Sequence, residues 1–230
     1  MIKAVFFDLY NTLLHYEPFR EEIEARALKE FGFDRHTDDF RYPFLKADEY
    51  FFEENALSRV NDRPEDQKKA VYLRHQQIVL NEAGIPAEPH IVRAVVSRWA
   101  QTKFSQVLFD DVLPTLKELK GDYILGLISN IDSAIEPMLE KLELTPLLDI
   151  VVTSLEIGYT KPHPVIFKTA IERAGVAPDE VLYIGDQYQV DVVGAAEVGM
   201  KAVLLDRYDN FEGELEYPRI ASLAQIRDCL

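Results

Sequence analysis

The sequence KAVFFDLYNT, at positions 3–12, carries the first indication of the fold. Residues 3–7 form a short apolar run rich in residues that favour β-strands, which is typical of a strand buried within a parallel sheet. Asp8 ends this run, and polar residues follow it. Ligands of parallel α/β sheets bind beyond the carboxyl ends of the strands. We therefore predict that Asp8 lies at the ligand-binding edge of such a sheet.

Four further apolar runs of similar length follow in the second half of the chain, at positions 123–128, 150–153, 181–184 and 202–205. Helical patterns accompany them at positions 112–119, 134–142, 164–174 and 192–198. Strands that alternate with helices of this length are typical of an open parallel sheet with helices on both faces. The chain is therefore predicted to have an α/β fold with a Rossmann-like parallel sheet.

The region that follows the first strand has a different character, because it contains helical patterns alone. Prolines lie near the starts of three of them, and Gly32 and Gly84 follow two of their ends, as expected at helix boundaries. We predict an all-helical domain at residues 16–105, inserted into a core domain formed by residues 1–15 and 106–230. Its predicted helices span positions 18–31, 38–58, 64–83 and 89–103.

The composition of the 230-residue chain limits its partners. Its 25 basic and 40 acidic residues give a formal net charge of −15, which disfavours binding to nucleic acids and anionic membranes. The sequence has no signal-peptide pattern and no apolar stretch of membrane-spanning length, and its single cysteine, Cys229, excludes internal disulfides. We expect a cytoplasmic protein without nucleic-acid or membrane partners. An anionic substrate would require a locally positive pocket, and no pattern predicts an oligomeric state.

Polar residues follow the other apolar runs as well. Any one of them has a simpler explanation, because polar residues at strand ends also cap helices and close turns. Their occurrence in four segments, each at the expected place, favours a shared site. These residues are Thr12 after the first run, Ser129 and Asn130 after the second, Lys161 further along, and Asp186 and Asp191 after the run at 181–184.

The order of these segments resembles the haloacid dehalogenase superfamily of hydrolases, whose nucleophile is an aspartate. The most specific parts are GYTKPHPVIF at positions 158–167 and GDQYQVDVVGAAEVGM at positions 185–200. The DxxxT pattern at 8–12 is weak by itself, whereas SNID at 129–132, followed by a helical pattern, resembles the subgroup with a helical cap. The resemblance covers the whole chain and implies that the helical insert is a cap domain.

Elementary electrostatics agrees with the chemistry that this resemblance implies. A carboxylate that attacks a phosphate ester is an anion approaching an anion, so positive charge is needed locally. Carboxylates such as Asp8 and Asp186 suit Mg²⁺, which prefers hard oxygen ligands. The resemblance implies that Asp8 is the nucleophile and that Asp8, Asp186 and the main-chain carbonyl of Tyr10 hold Mg²⁺. It implies that Lys161 supplies catalytic positive charge and that Asp191 orients Lys161 or a metal-bound water. The phosphoryl group would be bound by Thr12, Ser129 and the amides around Asn130.

Tyr10 departs from the superfamily pattern. Phosphatases of the superfamily generally carry an aspartate two residues after the nucleophile as the general acid, whereas a tyrosine at this place resembles the 2-haloacid dehalogenases. Those dehalogenases work without a metal and lack the acidic residue that Asp186 represents, so the two signals disagree. Either the general acid is missing here, or the Tyr10 phenol or a residue of the cap delivers the proton.

The sequence thus predicts a Mg²⁺-dependent phosphatase that hydrolyses a small phosphorylated metabolite through an aspartyl-phosphate at Asp8. Asp186 and Asp191 favour this reaction, and we weigh Asp186 more heavily than Tyr10. Two alternatives, both favoured by Tyr10, stay open. One is a 2-haloacid dehalogenase that forms an ester at Asp8, and the other is a catalytically weak binding module that keeps the fold.

Overall fold

The computed structural model describes residues 1–211 and 213–230. The chain divides into two compact units, of which one consists of Met1–His15 and Val107–Leu230 and the other of Tyr16–Gln106. The first unit contains the larger sheet, and the second contains the first four α-helices of the chain. Within the described residues, no helix combines the length and apolar character that crossing a membrane requires.

Two strands precede a purely helical stretch of the chain, and strands and helices alternate for most of the chain after it. The strands are β1 (Ala4–Phe7), β2 (Leu14–Glu17), β3 (Ser105–Leu108), β4 (Ile124–Ser129), β5 (Ile150–Thr153), β6 (Val181–Gly185), β7 (Lys201–Leu205) and β8 (Arg219–Ile220). The α-helices are α1 (Arg20–Lys29), α2 (Arg41–Leu57), α3 (Glu65–Glu82), α4 (Pro89–Gln101), α5 (Val112–Leu119), α6 (Glu136–Lys141), α7 (Ser154–Ile157), α8 (Pro164–Ala174) and α9 (Gly194–Glu197).

Six of the strands form one sheet in the order β5-β4-β1-β6-β7-β8, and all of its pairings are parallel. The predicted α/β fold with a Rossmann-like parallel sheet is therefore confirmed. Because the strands share one direction, their carboxyl ends lie along the same edge, and β1 lies between β4 and β6. β2 and β3 form a separate two-stranded sheet, and the boundaries between the two units fall within them.

Four short elements were not predicted, namely β2, β3, β8 and α7. Each has only two to four residues, which is too few to show a hydrophobic period. The helical pattern expected at 192–198 begins earlier, because a π-helical segment, Tyr188–Val193, leads directly into α9. A wider turn of this kind does not follow the 3.6-residue period on which the prediction relied.

Side chains of the central strand alternate between two apolar layers, as expected for a strand buried on both faces. Val5 and Phe7 of β1 pack on one side, in a cluster that includes Leu116 of α5. Phe6 packs on the other side, in a cluster that includes Phe167 of α8. All five side chains are fully buried, and each contributes about 1.5–3 kcal/mol to the free energy of unfolding. These two layers fix the position of β1, and hence the position of Asp8, which follows it.

The helical unit has its own apolar core, formed by residues of α1–α4 and of the segment before α2. A carboxyl group, that of Glu24 on α1, is fully buried in this unit. It accepts hydrogen bonds from Nε2 of Gln76 (2.6 Å) and from Nε1 of Trp99 (3.3 Å). Burial raises the pKa of Glu24 to about 7, and these two neutral donors only partly oppose that effect. The sequence pattern did not predict a buried acid here.

Candidate active site

The candidate residues converge at the carboxyl edge of the six-stranded sheet. Asp8 follows β1, and its main-chain N–H donates to the carbonyl of Ile184 in β6 (2.8 Å). Ser129 is the last residue of β4, and Asp186 follows β6 directly. Asp8 and Ser129 are buried, whereas Asp186 is half-buried. Three adjacent parallel strands thus bring these three residues to one edge.

Lys161 connects the residues of this edge through its ammonium group. Its Nζ donates to Oδ1 of Asp8 (2.5 Å), to Oδ1 of Asp191 (2.6 Å) and to the hydroxyl of Tyr183 (3.0 Å). The side chain is buried, and an ammonium group has three N–H donors. All three donors are therefore engaged, and Lys161 holds the two carboxylates in fixed positions.

Asp191 lies against the end of β6. A Cβ atom at Gly185 would lie 2.4 Å from the carboxylate of Asp191, so the absence of a side chain at this glycine makes room for the acid. The main-chain N–H of Gln187 donates to Oδ2 of Asp191 (3.1 Å), and the hydroxyl of Tyr183 donates to Oδ1 (3.0 Å). A side chain at position 185 would therefore displace Asp191, and Lys161 would lose one of its hydrogen-bond partners.

The side chain of Asn130 binds the main chain of Lys161. Its Oδ1 accepts from the N–H of Lys161 (2.7 Å), and its Nδ2 donates to the carbonyl of the same residue (3.1 Å). These two bonds join the loop that follows β4 to the loop that carries Lys161. Because the side chain of Asn130 is engaged in this way, a contact with a phosphoryl group would use its main-chain amide.

Three carboxylates crowd around Lys161. One oxygen from each of Asp8, Asp186 and Asp191 lies within 4.8 Å of the others. Burial raises the pKa of Asp8 to about 6, an effect that Lys161 opposes and Asp191 increases. Burial and the charges of Asp8 and Asp191 raise the pKa of Asp186 well above its ordinary value. Burial alone would lower the pKa of Lys161, but Asp191 and Asp8 outweigh it and raise that pKa, so Lys161 stays protonated.

The acidic cluster fits a divalent metal ion. Three ionised carboxylates and one ammonium group carry a net charge of −2, and the raised pKa values of Asp8 and Asp186 reflect the cost of that charge in a buried place. A hard dication removes this cost, because Mg²⁺ and Ca²⁺ bind carboxylate oxygens. The half-buried Asp186 leaves the cluster partly open to solvent.

The turn after Asp8 carries Tyr10 and Thr12. The partly buried side chain of Tyr10 packs against the apolar cluster on the α5 side of the sheet. Asn11 has a positive φ of 59°, and its N–H donates to the carbonyl of Leu14 (2.6 Å). A residue in this left-handed conformation reverses the chain tightly. The chain therefore reverses between Leu9 and Leu14, and the N–H groups of Leu13 and Leu14 both donate to the carbonyl of Leu9.

Thr12 and Ser129 both have a buried hydroxyl group that lacks a hydrogen-bond partner among the described residues. A buried polar group left unsatisfied costs about 1–3 kcal/mol. Such groups are rare in folded proteins and call for an explanation, of which a bound ligand or water is one. Two free hydroxyl donors at this edge suit an anion with several oxygen acceptors.

Two residues with a place in this network were not predicted. Tyr183 lies within the apolar run at 181–184. Only its hydroxyl group, which is unusual within a buried central strand, could have indicated a role in the site. Arg207 follows β7 and donates to the main-chain carbonyl of Thr12 (2.8 Å). The rule that selected Asp8, a polar residue just beyond an apolar run, would have selected Asp206 after the run at 202–205, and Arg207 is the next residue.

Comparison with known proteins identifies the relatives of this chain. A model of the haloacid dehalogenase-like hydrolases matches residues 2–199. A glyceraldehyde 3-phosphate phosphatase of Methanopyrus kandleri is 32% identical over 213 residues, which cover 90% of this chain and 85% of that protein. A ribulose-1,5-bisphosphate 5-phosphatase of Halopiger xanaduensis is 28% identical over 232 residues, which cover 98% of this chain and 93% of that protein.

A solved structure of a 2-haloacid dehalogenase from Pseudomonas syringae pv. Tomato superposes on this chain with a TM-score of 0.57. The alignment covers 99% of this chain and 97% of the dehalogenase, at 22% sequence identity, and it shows a shared fold. A fold by itself does not determine a reaction. The family model covers most of the sequence, and the match to the M. kandleri relative covers 85% of that protein. The chain therefore belongs to the family of haloacid dehalogenase-like hydrolases.

Proposed function

We propose that this hydrolase is a Mg²⁺-dependent phosphatase of small phosphorylated metabolites, with Asp8 as its nucleophile. The observation that carries the proposal is the cluster of Asp8, Asp186 and Asp191, whose carboxylate oxygens lie within 4.8 Å of one another. An aspartate nucleophile alone serves phosphate or haloacid chemistry, whereas the two further carboxylates call for a metal ion. Two of the relatives, those described above, are phosphatases of a triose phosphate and a sugar bisphosphate, which supports a substrate of that class.

Asp8, Asp186 and the main-chain carbonyl of Tyr10 would hold Mg²⁺. When bound, the ion neutralises the carboxylates and the phosphoryl oxygens and so removes the repulsion between nucleophile and substrate. Asp8 must be ionised to attack, and a pKa of about 6 leaves it mostly ionised at neutral pH even without the metal. Because Lys161 binds Oδ1 of Asp8, we assign the attack to Oδ2.

The proposed reaction has two steps. Asp8 attacks phosphorus and the P–O bond to the substrate alcohol breaks. The leaving oxygen takes a proton from the Tyr10 phenol, from a residue of the helical unit or, where neither reaches it, from solvent water. Water then attacks phosphorus in the aspartyl-phosphate, which releases inorganic phosphate and restores the carboxylate of Asp8. The hydroxyl groups of Thr12 and Ser129, which lack partners among the described residues, donate to the phosphoryl oxygens. Asp191 keeps Lys161 oriented towards Asp8.

Because of Tyr10, two other functions must be tested as well, namely a 2-haloacid dehalogenase and a catalytically weak binding module. In a 2-haloacid dehalogenase the halide leaves without a proton, so a tyrosine at this position is no handicap. That reaction gains nothing from Asp186, however, because a second carboxylate beside Asp8 opposes the formation of the anionic nucleophile when no metal is bound. A weak binding module is the third candidate, because loss of a general acid costs about 10²–10⁴ in rate.

We also propose that the helical unit, Tyr16–Gln106, acts as the cap that determines substrate specificity, and that the protein works in the cytoplasm. A net charge of −15 supports a small-molecule partner rather than a nucleic acid or an anionic membrane. The single cysteine is in keeping with a reducing compartment.

A substrate panel separates the three functions. The protein is assayed with p-nitrophenyl phosphate, glyceraldehyde 3-phosphate, ribulose 1,5-bisphosphate and 2-chloropropionate, each in Mg²⁺ and in EDTA. We expect phosphate release that depends on Mg²⁺, and no chloride release. Chloride release in EDTA would assign the dehalogenase instead. Binding of inorganic phosphate in a calorimeter without turnover of any ester would assign the binding module.

A further inference from the structure

Arg207 reaches the turn after Asp8 from another part of the sheet. It follows β7, which β6 separates from β1, and its side chain is only 9% exposed. The guanidinium forms a fork with the carboxylate of Asp111, with Nη1–Oδ2 and Nη2–Oδ1 distances of 2.8 and 2.9 Å. The same Nη2 donates to the main-chain carbonyl of Thr12 (2.8 Å). Arg207 thus joins the start of α5 to this turn.

One further contact holds the guanidinium, and two hydrogen bonds hold the carboxylate that it binds. Its Cζ lies 4.0 Å from the centre of the Phe109 ring, a cation–π distance. Asp111 itself accepts from the hydroxyl of Ser222 (2.6 Å) and from the N–H of Leu223 (2.9 Å). The C-terminal segment therefore fixes Asp111, and Asp111 fixes Arg207. A guanidinium suits this place because its planar fork serves several acceptors at once, whereas a lysine ammonium is a single point charge.

Thr12 connects this arrangement to the reaction. The residue is fully buried, and its Oγ1 lacks a hydrogen-bond partner among the described residues. A bond to the carbonyl of Thr12 fixes the peptide plane that follows it, and a fixed main chain sets the direction of the Cα–Cβ bond. The positions that the Thr12 hydroxyl can reach by rotation about this bond therefore depend on a residue 195 positions away in the sequence.

We propose that Arg207 is a positioning residue of the active site, which holds the main chain of Thr12 so that the Thr12 hydroxyl donates to the phosphoryl group. Asp111 supports this role by holding Arg207. The inference rests on the proposed phosphatase function. A positioning role differs from a purely structural role in one respect. If Arg207 positions Thr12, its effect on phosphate binding requires the hydroxyl of Thr12.

A double-mutant cycle tests this dependence. Arg207→Lys, Thr12→Val and the double variant are compared with wild type for binding of inorganic phosphate in Mg²⁺ by calorimetry, and for kcat and KM with p-nitrophenyl phosphate. We expect Arg207→Lys to weaken phosphate binding about tenfold when Thr12 is present, and less than about twofold in the Thr12→Val background. The rise in melting temperature that Mg²⁺ causes should be unchanged, because Arg207 binds Asp111 rather than the metal carboxylates.

Arg173→Lys is the matched control. Arg173 also forks on a carboxylate, that of Glu156, and donates to a main-chain carbonyl, that of Val151 (3.0 Å). This variant should leave phosphate binding unchanged. If Arg207→Lys does not fold, Asp111→Asn weakens the same pair of hydrogen bonds. We expect Asp111→Asn to reduce the affinity for inorganic phosphate by less than tenfold, and to have no effect on that affinity in the Thr12→Val background.

The outcomes separate this inference from the proposed function. The positioning role is wrong if Arg207→Lys reduces the affinity for phosphate equally with Thr12 and with the Thr12→Val substitution, or in neither case. The phosphatase activity of wild type would not be affected by that result. A wild-type protein that neither binds phosphate nor hydrolyses the ester overturns the proposed function, and the positioning role with it.

Discussion

Replacement of Glu24 by glutamine should stabilise the helical unit above neutral pH. Glu24 is fully buried, and both of its hydrogen-bond donors, Gln76 and Trp99, are neutral. Its pKa is therefore raised from 4.5 to about 7, with burial as the main cause. An amide at position 24 keeps both hydrogen bonds, because Gln76 can present either its oxygen or its nitrogen.

The magnitude follows from the difference between the two pKa values. The unfolded chain releases the proton of Glu24 near pH 4.5, and the folded chain keeps it until about pH 7. As the pH rises through this interval, proton release favours the unfolded chain, so the free energy of unfolding falls. The whole loss is about 3 kcal/mol, at about 1.4 kcal/mol per pH unit. About 2 kcal/mol of it falls between pH 5.5 and 8, by the same conversion.

Urea unfolding followed by tryptophan fluorescence measures this effect directly. Trp99 is the only tryptophan of the chain, and its indole N–H binds Glu24, so its emission reports on the unit concerned. The free energy of unfolding of Glu24→Gln should exceed that of wild type by an amount that grows by about 2 kcal/mol from pH 5.5 to pH 8. Asp8 and Asp186 also have raised pKa values, but both proteins contain them, and their contribution cancels.

Glu53→Gln is the control for this measurement, because Glu53 lies exposed on α2 of the same unit. Its difference from wild type should not change with pH. If the difference between Glu24→Gln and wild type is also independent of pH, the carboxyl group of Glu24 is ionised throughout this range. The assignment of a protonated acid to this core would then be wrong.

Three predictions concern the active site. Asp8→Asn should reduce hydrolysis of p-nitrophenyl phosphate to background while the protein stays folded, as shown by a cooperative thermal transition, and a variant with about a tenth of the wild-type rate would exclude covalent catalysis at Asp8. Mg²⁺ at tenfold its dissociation constant should stabilise wild type by about 1.4 kcal/mol in thermal unfolding, and Asp186→Ala should lose most of that gain. Tyr10→Asp should raise the rate with alkyl phosphates by up to ~10²–10⁴ relative to aryl phosphates, because alkyl leaving groups need a proton. Equal wild-type rates for both ester types, with only losses in the variant, would show that a general acid is already present.

Short-range features of the sequence were sufficient to predict the elements that carry the site. The apolar run before Asp8 predicted β1, because a strand covered on both faces needs apolar residues at every position. Helices α5 and α8 have the predicted bounds. For α8 the reason is local, since Pro164 occupies its first turn and Gly175 ends it with a positive φ of 66°. The parallel topology then predicted that the polar residues just after the strands lie together at one edge of the sheet.

The tertiary structure decided how these side chains are used. The amides around Asn130 are expected to bind a phosphoryl group, and the structure adds a second use of this residue, because its side chain binds the main chain of Lys161. Arg207 and Glu24 have partners 195 and 52 residues away, respectively. A local pattern records whether a residue faces a core or solvent, because that depends on the period of its own helix or strand. A hydrogen bond between distant elements depends instead on the strand order and on the packing of whole layers, and neither is encoded in the residues next to the donor.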